Sequence, residues 1–330
     1  MKALISQDPG GPKTLTYGDL PDPLAGPGQV RIAVKAAGLN YPDLLMIEDK
    51  YQIRPPRPFA AGFEASGVID QVGEGVTGLK VGDRVLRHGY FGAMAQLLVA
   101  DAADVAVIPE SMPFDDAAAL PLTYLTAHYA LTRRAQLKAG ETLLVLGAAG
   151  GVGAASVQLG KALGARVVAA VSTPAKAAHA RANGADETLL YKVGDAIDAK
   201  SMASAFKAAV GEGGADVIVD VLGGPYSEAA LRAIAWYGRH LVIGFAAGLT
   251  AMPLNLVLLK SCTVMGAMFG VWAKRSPQES VPDRQAVLDL YARGLIKPDI
   301  SERFPLAEGA IALQRIESRA VTGKIVLLVD

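Results

Sequence analysis

The stretch 143–176, LLVLGAAGGVGAASVQLGKALGARVVAAVSTPAK, constrains the fold more than any other part of the chain. An apolar run at 143–146 meets a glycine-rich turn, then small residues suited to a helix over 151–163, then a second apolar run at 167–171. Strand, turn, helix and strand within about 30 residues form a βαβ unit, the setting in which a glycine motif binds a dinucleotide. Glycines at 150, 151 and 153 let the backbone approach a pyrophosphate. The helix behind them offers unpaired N–H groups and the positive end of its dipole. Ala149, Gly150, Gly151 and Val152 are the expected contacts, and Ala148 stands where the G-x-G-x-x-G pattern has its first glycine.

The end of the second strand selects the nucleotide. An NAD site places an acid about 20 residues into the motif to hold the ribose 2′-hydroxyl. This chain has Val-Ser-Thr-Pro-Ala-Lys at 171–176, with no acid. Ser172 can hydrogen-bond a 2′-phosphate and Lys176 can neutralise it, so the expected cofactor is NADPH rather than NADH. Ser172 is also placed to cap a helix starting near Pro174.

The 330 residues leave room for two domains with ample core. Lysine plus arginine and aspartate plus glutamate number 32 each, so no net positive charge favours nucleic acid or an anionic membrane. Cys262 is the only cysteine, which rules out an internal disulfide and a multi-cysteine zinc site. The opening residues carry no apolar segment of signal-peptide length, and no apolar run is long enough for a membrane span. A cytoplasmic protein is expected.

Residues 1–122 alternate short apolar runs (30–35, 67–72, 84–86, 95–99) with Gly, Pro and Asp, the pattern of a small β-rich, barrel-like domain. A helical link is expected over 117–131, broken at Pro121. After the βαβ unit, helices are expected at 174–182, 199–210 and 226–235, and strands at 187–191, 216–221 and 240–245. That alternation implies a doubly wound parallel sheet with its ligand outside the carboxyl ends of the strands. Beyond 259 the pattern reads as a strand at 263–269, a helix at 281–293 and a final strand over 323–329.

Four strings together resemble one family: AGLNYPD at 37–43, GFEASGV at 62–68, GLKVGDRV at 78–85 and GAAGGVG at 147–153. Over essentially its whole length the chain is similar to the zinc-independent quinone oxidoreductases, the zeta-crystallin-like group of the medium-chain dehydrogenase/reductase superfamily. The resemblance implies an α/β architecture: a GroES-like catalytic domain over 1–122, completed by 265–330, and an NADP-binding Rossmann domain over 123–264. It also implies a homodimer. Zinc-dependent relatives carry a cysteine at the position of Asn40 and a histidine at that of Phe63; neither residue here supplies the thiolate or imidazole that a catalytic zinc requires. No metal is expected, and Glu64, which survives from the zinc pattern, is read as structural.

The implied activity is hydride transfer from NADPH to a quinone or an α,β-unsaturated carbonyl compound. Asn40, Tyr41, Asp43 and Tyr51 are the expected catalytic residues; the resemblance places Tyr51 as a proton donor and Asn40 as a donor to a carbonyl or the cofactor ribose. By the same resemblance Thr126, Tyr191, Phe245, Met268, Phe269, Arg319 and Lys324 lie near the cofactor. The segment 55–61, PPRPFAA, departs most from the family and is expected to border the substrate. Two other readings stay open: an enoyl-thioester reductase acting on acyl-CoA, and a non-enzymatic, crystallin-like protein binding NADPH or nucleic acid.

Overall fold

The computed structural model describes residues 1–194, 198–318 and 321–330. The chain begins with strands β1 (Lys2–Ser6), β2 (Thr16–Asp19) and β3 (Gln29–Leu39), helix α1 (Tyr41–Ile47), and strands β4 (Phe59–Ala60), β5 (Glu64–Val72), β6 (Arg84–His88), β7 (Leu97–Asp101) and β8 (Val105–Val107). Helices α2 (Phe114–Ala119) and α3 (Pro121–His128) follow, and Tyr129–Arg134 forms a π-helical turn. Strands and helices then alternate: β9 (Thr142–Leu146), α4 (Gly151–Ala162), β10 (Arg166–Val171), α5 (Pro174–Ala182), β11 (Glu187–Leu190), α6 (Ala199–Val210), β12 (Ala215–Asp220), α7 (Gly224–Leu231), β13 (Ile234–Val242), α8 (Leu254–Lys260) and β14 (Thr263–Gly266). Helices α9 (Phe269–Arg275) and α10 (Pro277–Ala292) lead to β15 (Ile300–Pro305), α11 (Gly309–Glu317) and β16 (Lys324–Leu328).

Two compact units result, Met1–Leu122 with Pro298–Asp330, and Thr123–Lys297. The first is a β-rich GroES-like fold. Its large sheet runs β15-β16-β3-β5-β6-β8, with β7 also paired to β3, and β2-β1-β4 form a smaller sheet. The long strand β3 serves two partners in turn. Its first half pairs with β7 (Gln29 with Asp101) and its second half with β16 (Leu39 with Ile325), and register breaks after Arg31 and Val34 bend it between them. Val30, Ile32 and Val34 alternate inward, as a half-buried strand requires.

The second unit is a Rossmann-type sheet. Six parallel strands stand in the order β11-β10-β9-β12-β13-β14. Leu143 to Leu146 of β9 have no exposed surface, the mark of a parallel strand covered on both faces. Of the described residues, no helix is long and apolar enough to cross a membrane.

Some boundaries differ from those expected. The helix expected at 226–235 stops at Leu231, and Ile234 and Ala235 open β13. The alanine-rich sequence favours helix, but Ile234 is taken into the sheet beside Ala215, with an irregularity before Val217 pairs with Arg239 and a left-handed Tyr237 (φ 60°). The strand expected at 263–269 ends at Gly266, and Phe269 begins a helix whose ring lies 6.1 Å from those of both Tyr129 and Trp272. The segment 265–297 belongs with the second unit, not the catalytic domain. Its β14 extends the Rossmann sheet, and Arg133 grips Asp283 of α10 at 3.0 Å.

Candidate functional site

In the second unit, β9 ends in a left-handed turn at Gly147 (φ 70°), and Gly150 stands immediately before α4. Relative to Gly150 and Gly153, Ala148 holds the first-glycine place of G-x-G-x-x-G, and the left-handed turn falls one residue earlier, at Gly147, so the glycine pattern here is G-x-x-G-x-x-G. Gly153 packs α4 onto this turn. A Cβ there would lie 2.8 Å from the Gly147 carbonyl carbon and 2.9 Å from Ala148 Cα. Ala148 and Ala149 are buried, while Gly150 is exposed and Gly151 and Val152 half-buried at the start of the helix. The backbone cradle a pyrophosphate needs is thus present.

At the end of β10, Thr173 rather than Ser172 caps α5: its side chain accepts from Lys176 N–H at 3.2 Å. Ser172 is half-buried beyond the strand end, and no acid stands there. Tyr191 follows β11 with its ring 4.8 Å from that of Tyr226, whose hydroxyl donates to the Lys192 carbonyl at 3.0 Å. The loops after β12 and β13 are zipped together by Ala247 N–H to Leu222 O at 2.7 Å and Gly224 N–H to Gly248 O at 2.8 Å. Phe245 and Met268 are exposed near these strand ends, Thr126 is half-buried on α3, and Phe269 is buried in the unit's own aromatic packing.

One group here escaped the sequence reading. Asp220, at the carboxyl end of β12, is buried with four hydrogen-bond partners. Oδ1 accepts from Leu222 N–H at 3.0 Å and Gly223 N–H at 2.9 Å; Oδ2 accepts from Ser227 Oγ at 2.5 Å and faces His240 Nε2 at 3.0 Å. Burial opposes its charge. The His240 bond and charge, with the Gly223 and Ser227 bonds, outweigh that and hold the carboxyl below its usual range. Asp220 fixes the turn leading into α7; an acid closing an apolar strand before Gly-Gly was the available signal.

In the first unit, strand pairing assembles a buried polar cluster. The pairings Gly38–Glu64 and Leu39–Ile325 set Glu64 of β5 and Lys324 of β16 beside Asn40, which precedes α1. The Lys324 ammonium donates to Asn40 Oδ1 and Glu64 Oε1, both at 2.6 Å, and to Leu39 O at 2.9 Å. Asn40 Nδ2 donates to Glu64 Oε1 at 2.7 Å, and Leu122 N–H donates to Glu64 Oε2 at 2.6 Å. Lys324, Glu64 and Asn40 are 4%, 0% and 6% exposed. Lys324 was expected near the cofactor; in this structure all three of its donors are used inside the cluster. Glu64, read as structural from sequence, is the cluster's hub.

Asp43 adjoins this group, accepting from Asn40 N–H at 2.7 Å through Oδ2, while its buried Oδ1 has no hydrogen-bond partner. Burial pushes its carboxyl up to about 7. Tyr51 packs edge-on to Phe63 at 5.3 Å, in an apolar group with Met46, Phe59, Tyr90, Ile53 and Leu122. Burial, with the Tyr90 and Asp43 charges, pushes its phenol up to about 12, so it is a neutral donor at ordinary pH. Arg57, in the divergent segment, bonds Asp49 and the Ile47 carbonyl, both at 2.8 Å. Tyr41 is exposed on the first turn of α1. Arg319 lies outside the described residues. Among the described residues no three His, Cys, Asp or Glu side chains gather as a metal ligand set.

A GroES-like unit with a Rossmann unit inserted in its sequence defines a medium-chain dehydrogenase/reductase. Residues 26–110 match the alcohol dehydrogenase GroES-like domain, and residues 151–283 match the family described as zinc-binding dehydrogenase. Quinone oxidoreductase-like protein 2 of Rattus norvegicus is 36% identical over 304 residues, covering 92% of this chain and 85% of the rat protein. Quinone oxidoreductase of Pseudomonas aeruginosa is 34% identical over 329 residues, 97% of each chain. Among solved structures, a mycobacterial protein complexed with NADPH has a TM-score of 0.92 at 31% identity, covering 99% of this chain and all of that one (100%). Escherichia coli quinone oxidoreductase complexed with NADPH has a TM-score of 0.90 at 29% identity, with the same coverage of 99% and 100%. The chain belongs to the quinone oxidoreductase family of that superfamily.

Proposed function

We propose that the chain is an NADPH-dependent, zinc-independent reductase of quinones or α,β-unsaturated carbonyl compounds. The observation that carries this reading is the glycine cradle at 147–153 followed by a strand that ends at Val171, with Ser172 and no acid beyond it. The relatives solved with NADPH support the same cofactor. Gly150 to Val152 would take the pyrophosphate, and Ser172 with Lys176 the 2′-phosphate.

The cofactor, when bound, supplies a hydride, two electrons with a proton, and leaves as NADP⁺. The acceptor takes that hydride and one further proton from solvent, giving a hydroquinone or a saturated carbonyl compound. The protein's part is to orient the acceptor and stabilise negative charge on its oxygen. Asn40, with one Nδ2 hydrogen left after the bond to Glu64, and Tyr51, held as a neutral phenol, are the donors for that oxygen.

The test is NADPH oxidation by chelator-treated protein with 1,4-benzoquinone, a simple enone and crotonyl-CoA, with NADH as control. Turnover of the quinone or enone with NADPH, undiminished by chelator, is expected. Turnover of crotonyl-CoA alone would transfer the reading to an enoyl-thioester reductase, and no turnover at all would overturn an enzymatic role.

We further propose a homodimer built on the second unit. Leu254 and Leu258 of α8 are 75% and 78% exposed, Leu249 and Leu259 are also exposed, and β14 is an edge strand of the sheet. Such an apolar patch calls for cover, and a second copy supplies it by two-fold symmetry. Light scattering should give twice the chain mass for wild type and the single mass for Leu254→Glu/Leu258→Glu. A monomeric wild type would refute this.

A further inference from the structure

The Asn40 amide is held in one orientation by two oppositely charged partners. Its Oδ1 accepts from the Lys324 ammonium at 2.6 Å, and its Nδ2 donates to the Glu64 carboxylate at 2.7 Å. A flipped amide would turn NH₂ toward the ammonium and oxygen toward the carboxylate, so both charge-assisted bonds would become repulsive. The two charges are themselves anchored. Lys324 also reaches Leu39 O, Glu64 also receives Leu122 N–H, and both side chains are almost fully buried. Oδ1 therefore faces the ammonium through one of its lone pairs, and the amide's one remaining donor is an Nδ2 hydrogen.

We propose that Lys324 and Glu64 are positioning residues that fix the Asn40 amide so that its free Nδ2 hydrogen is the donor presented to the reacting oxygen. This rests on the reductase reading above. It explains why a buried ammonium and carboxylate stand where the sequence of a zinc-free enzyme has no ligand to hold. It also assigns the substrate group that the amide selects: an oxygen that accepts, as in a quinone or carbonyl, rather than a hydroxyl that must donate.

The test is a double-mutant cycle on kcat and KM at saturating NADPH. Asn40→Ala should lower kcat by about a hundredfold, the scale of one oxyanion donor. Lys324→Met, which removes one of the two charge-assisted bonds that orient the amide and leaves the bond to Glu64, should lower kcat by up to about tenfold. The double variant should match Asn40→Ala within about twofold, because Lys324 acts through that amide. Equal factors for Lys324→Met in both backgrounds would overturn the proposal. Lys324→Met leaves Glu64 buried without its partner and can fail to fold. Glu64→Gln/Lys324→Met removes both charges at similar volume and should fold with a kcat loss at least as large as that of Lys324→Met and little change in KM. A spectroscopic readout needs no turnover and so separates this proposal from the reductase reading. In ¹⁵N-labelled wild type, the Asn40 side-chain amide, identified by its absence in Asn40→Ala, should show one downfield, slowly exchanging proton that returns to the ordinary position in Glu64→Gln/Lys324→Met. An ordinary, rapidly exchanging pair in wild type would overturn the lock.

Discussion

Gly150 and Gly153 are three residues apart in one turn, yet an alanine at each should fail differently. At 153 the added methyl would lie 2.8 Å from the Gly147 carbonyl carbon and 2.9 Å from Ala148 Cα, and closer still to the Gly147 oxygen. These are backbone atoms of a buried turn, so relief requires α4 to move off β9. Overpacking of this kind costs about 1–3 kcal/mol. For a unit the size of Thr123–Lys297 that is roughly 2–12 °C in Tm. At 150 the backbone is extended (φ −86°, ψ 173°), and a Cβ would meet nothing nearer than Gly147 O at 3.6 Å. Gly150→Ala should therefore fold normally and gain up to about 1 kcal/mol from the stiffer unfolded chain. Its methyl stands where the backbone must approach the phosphate, so the NADPH Kd should rise at least about tenfold, or 1.4 kcal/mol. Gly153→Ala should lose both stability and NADPH affinity. Thermal unfolding and quenching of NADPH fluorescence read the two quantities separately. If Gly150→Ala binds NADPH as wild type does, the backbone at 150 does not hold the phosphate. If Gly153→Ala melts with wild type, the packing argument fails.

The Asp43 carboxyl, raised to about 7 by burial, keeps a proton in the folded state that the unfolded chain has already released above about pH 4. Its contribution to stability therefore falls as pH rises from about 4 to about 7. Asp43→Asn should flatten that fall in urea midpoints, and an identical pH slope in the variant would refute it. Asp220, held below its usual range, contributes in the opposite sense: stability is present above about pH 4 and lost as pH falls through its folded value. Asp220→Asn should cost about 3 kcal/mol at neutral pH and remove that part of the acid transition; a urea midpoint equal to wild type would count against the network. Ser172→Asp places an acid where the ribose 2′-group is expected, and the ratio of kcat/KM for NADPH over NADH should fall at least about tenfold. An unchanged ratio would show that the 2′-phosphate is read elsewhere.

The Rossmann unit was legible because its signals are local. The glycine turn, the apolar strands and Pro174 all act within a few residues, and α5 and α6 fall at the expected bounds, although the cap of α5 is Thr173 and not Ser172. Sequence misread the chain where a tertiary neighbour overrode local preference, as when Ile234 and Ala235 left a helix-forming string to pair in the sheet. The polar cluster was half legible. Asn40 and Phe63 announced the loss of zinc ligands, but Lys324 lies 284 residues from Asn40 and meets it only because β16 pairs with β3. The same long-range pairing turned Glu64 from an apparent relic into the group that holds the amide. Asp220 gave only a lone acid before two glycines, and its partner His240 arrives from the next strand.

The strand that carries Lys324 lies in the interior of its sheet, between β15 and β3, yet it is made after every other described strand. Thr123–Lys297 is one uninterrupted stretch and can close its core before residues 324–328 exist. The other unit must wait, with Glu64 lacking its cation and the edge of β3 open, until residues 324–328 emerge. A chain cut short after about residue 320 would keep a complete nucleotide fold but no oriented amide. Synthesis order thus makes the polar cluster a late feature: the Asn40 amide is oriented only in chains that extend through residues 324–328.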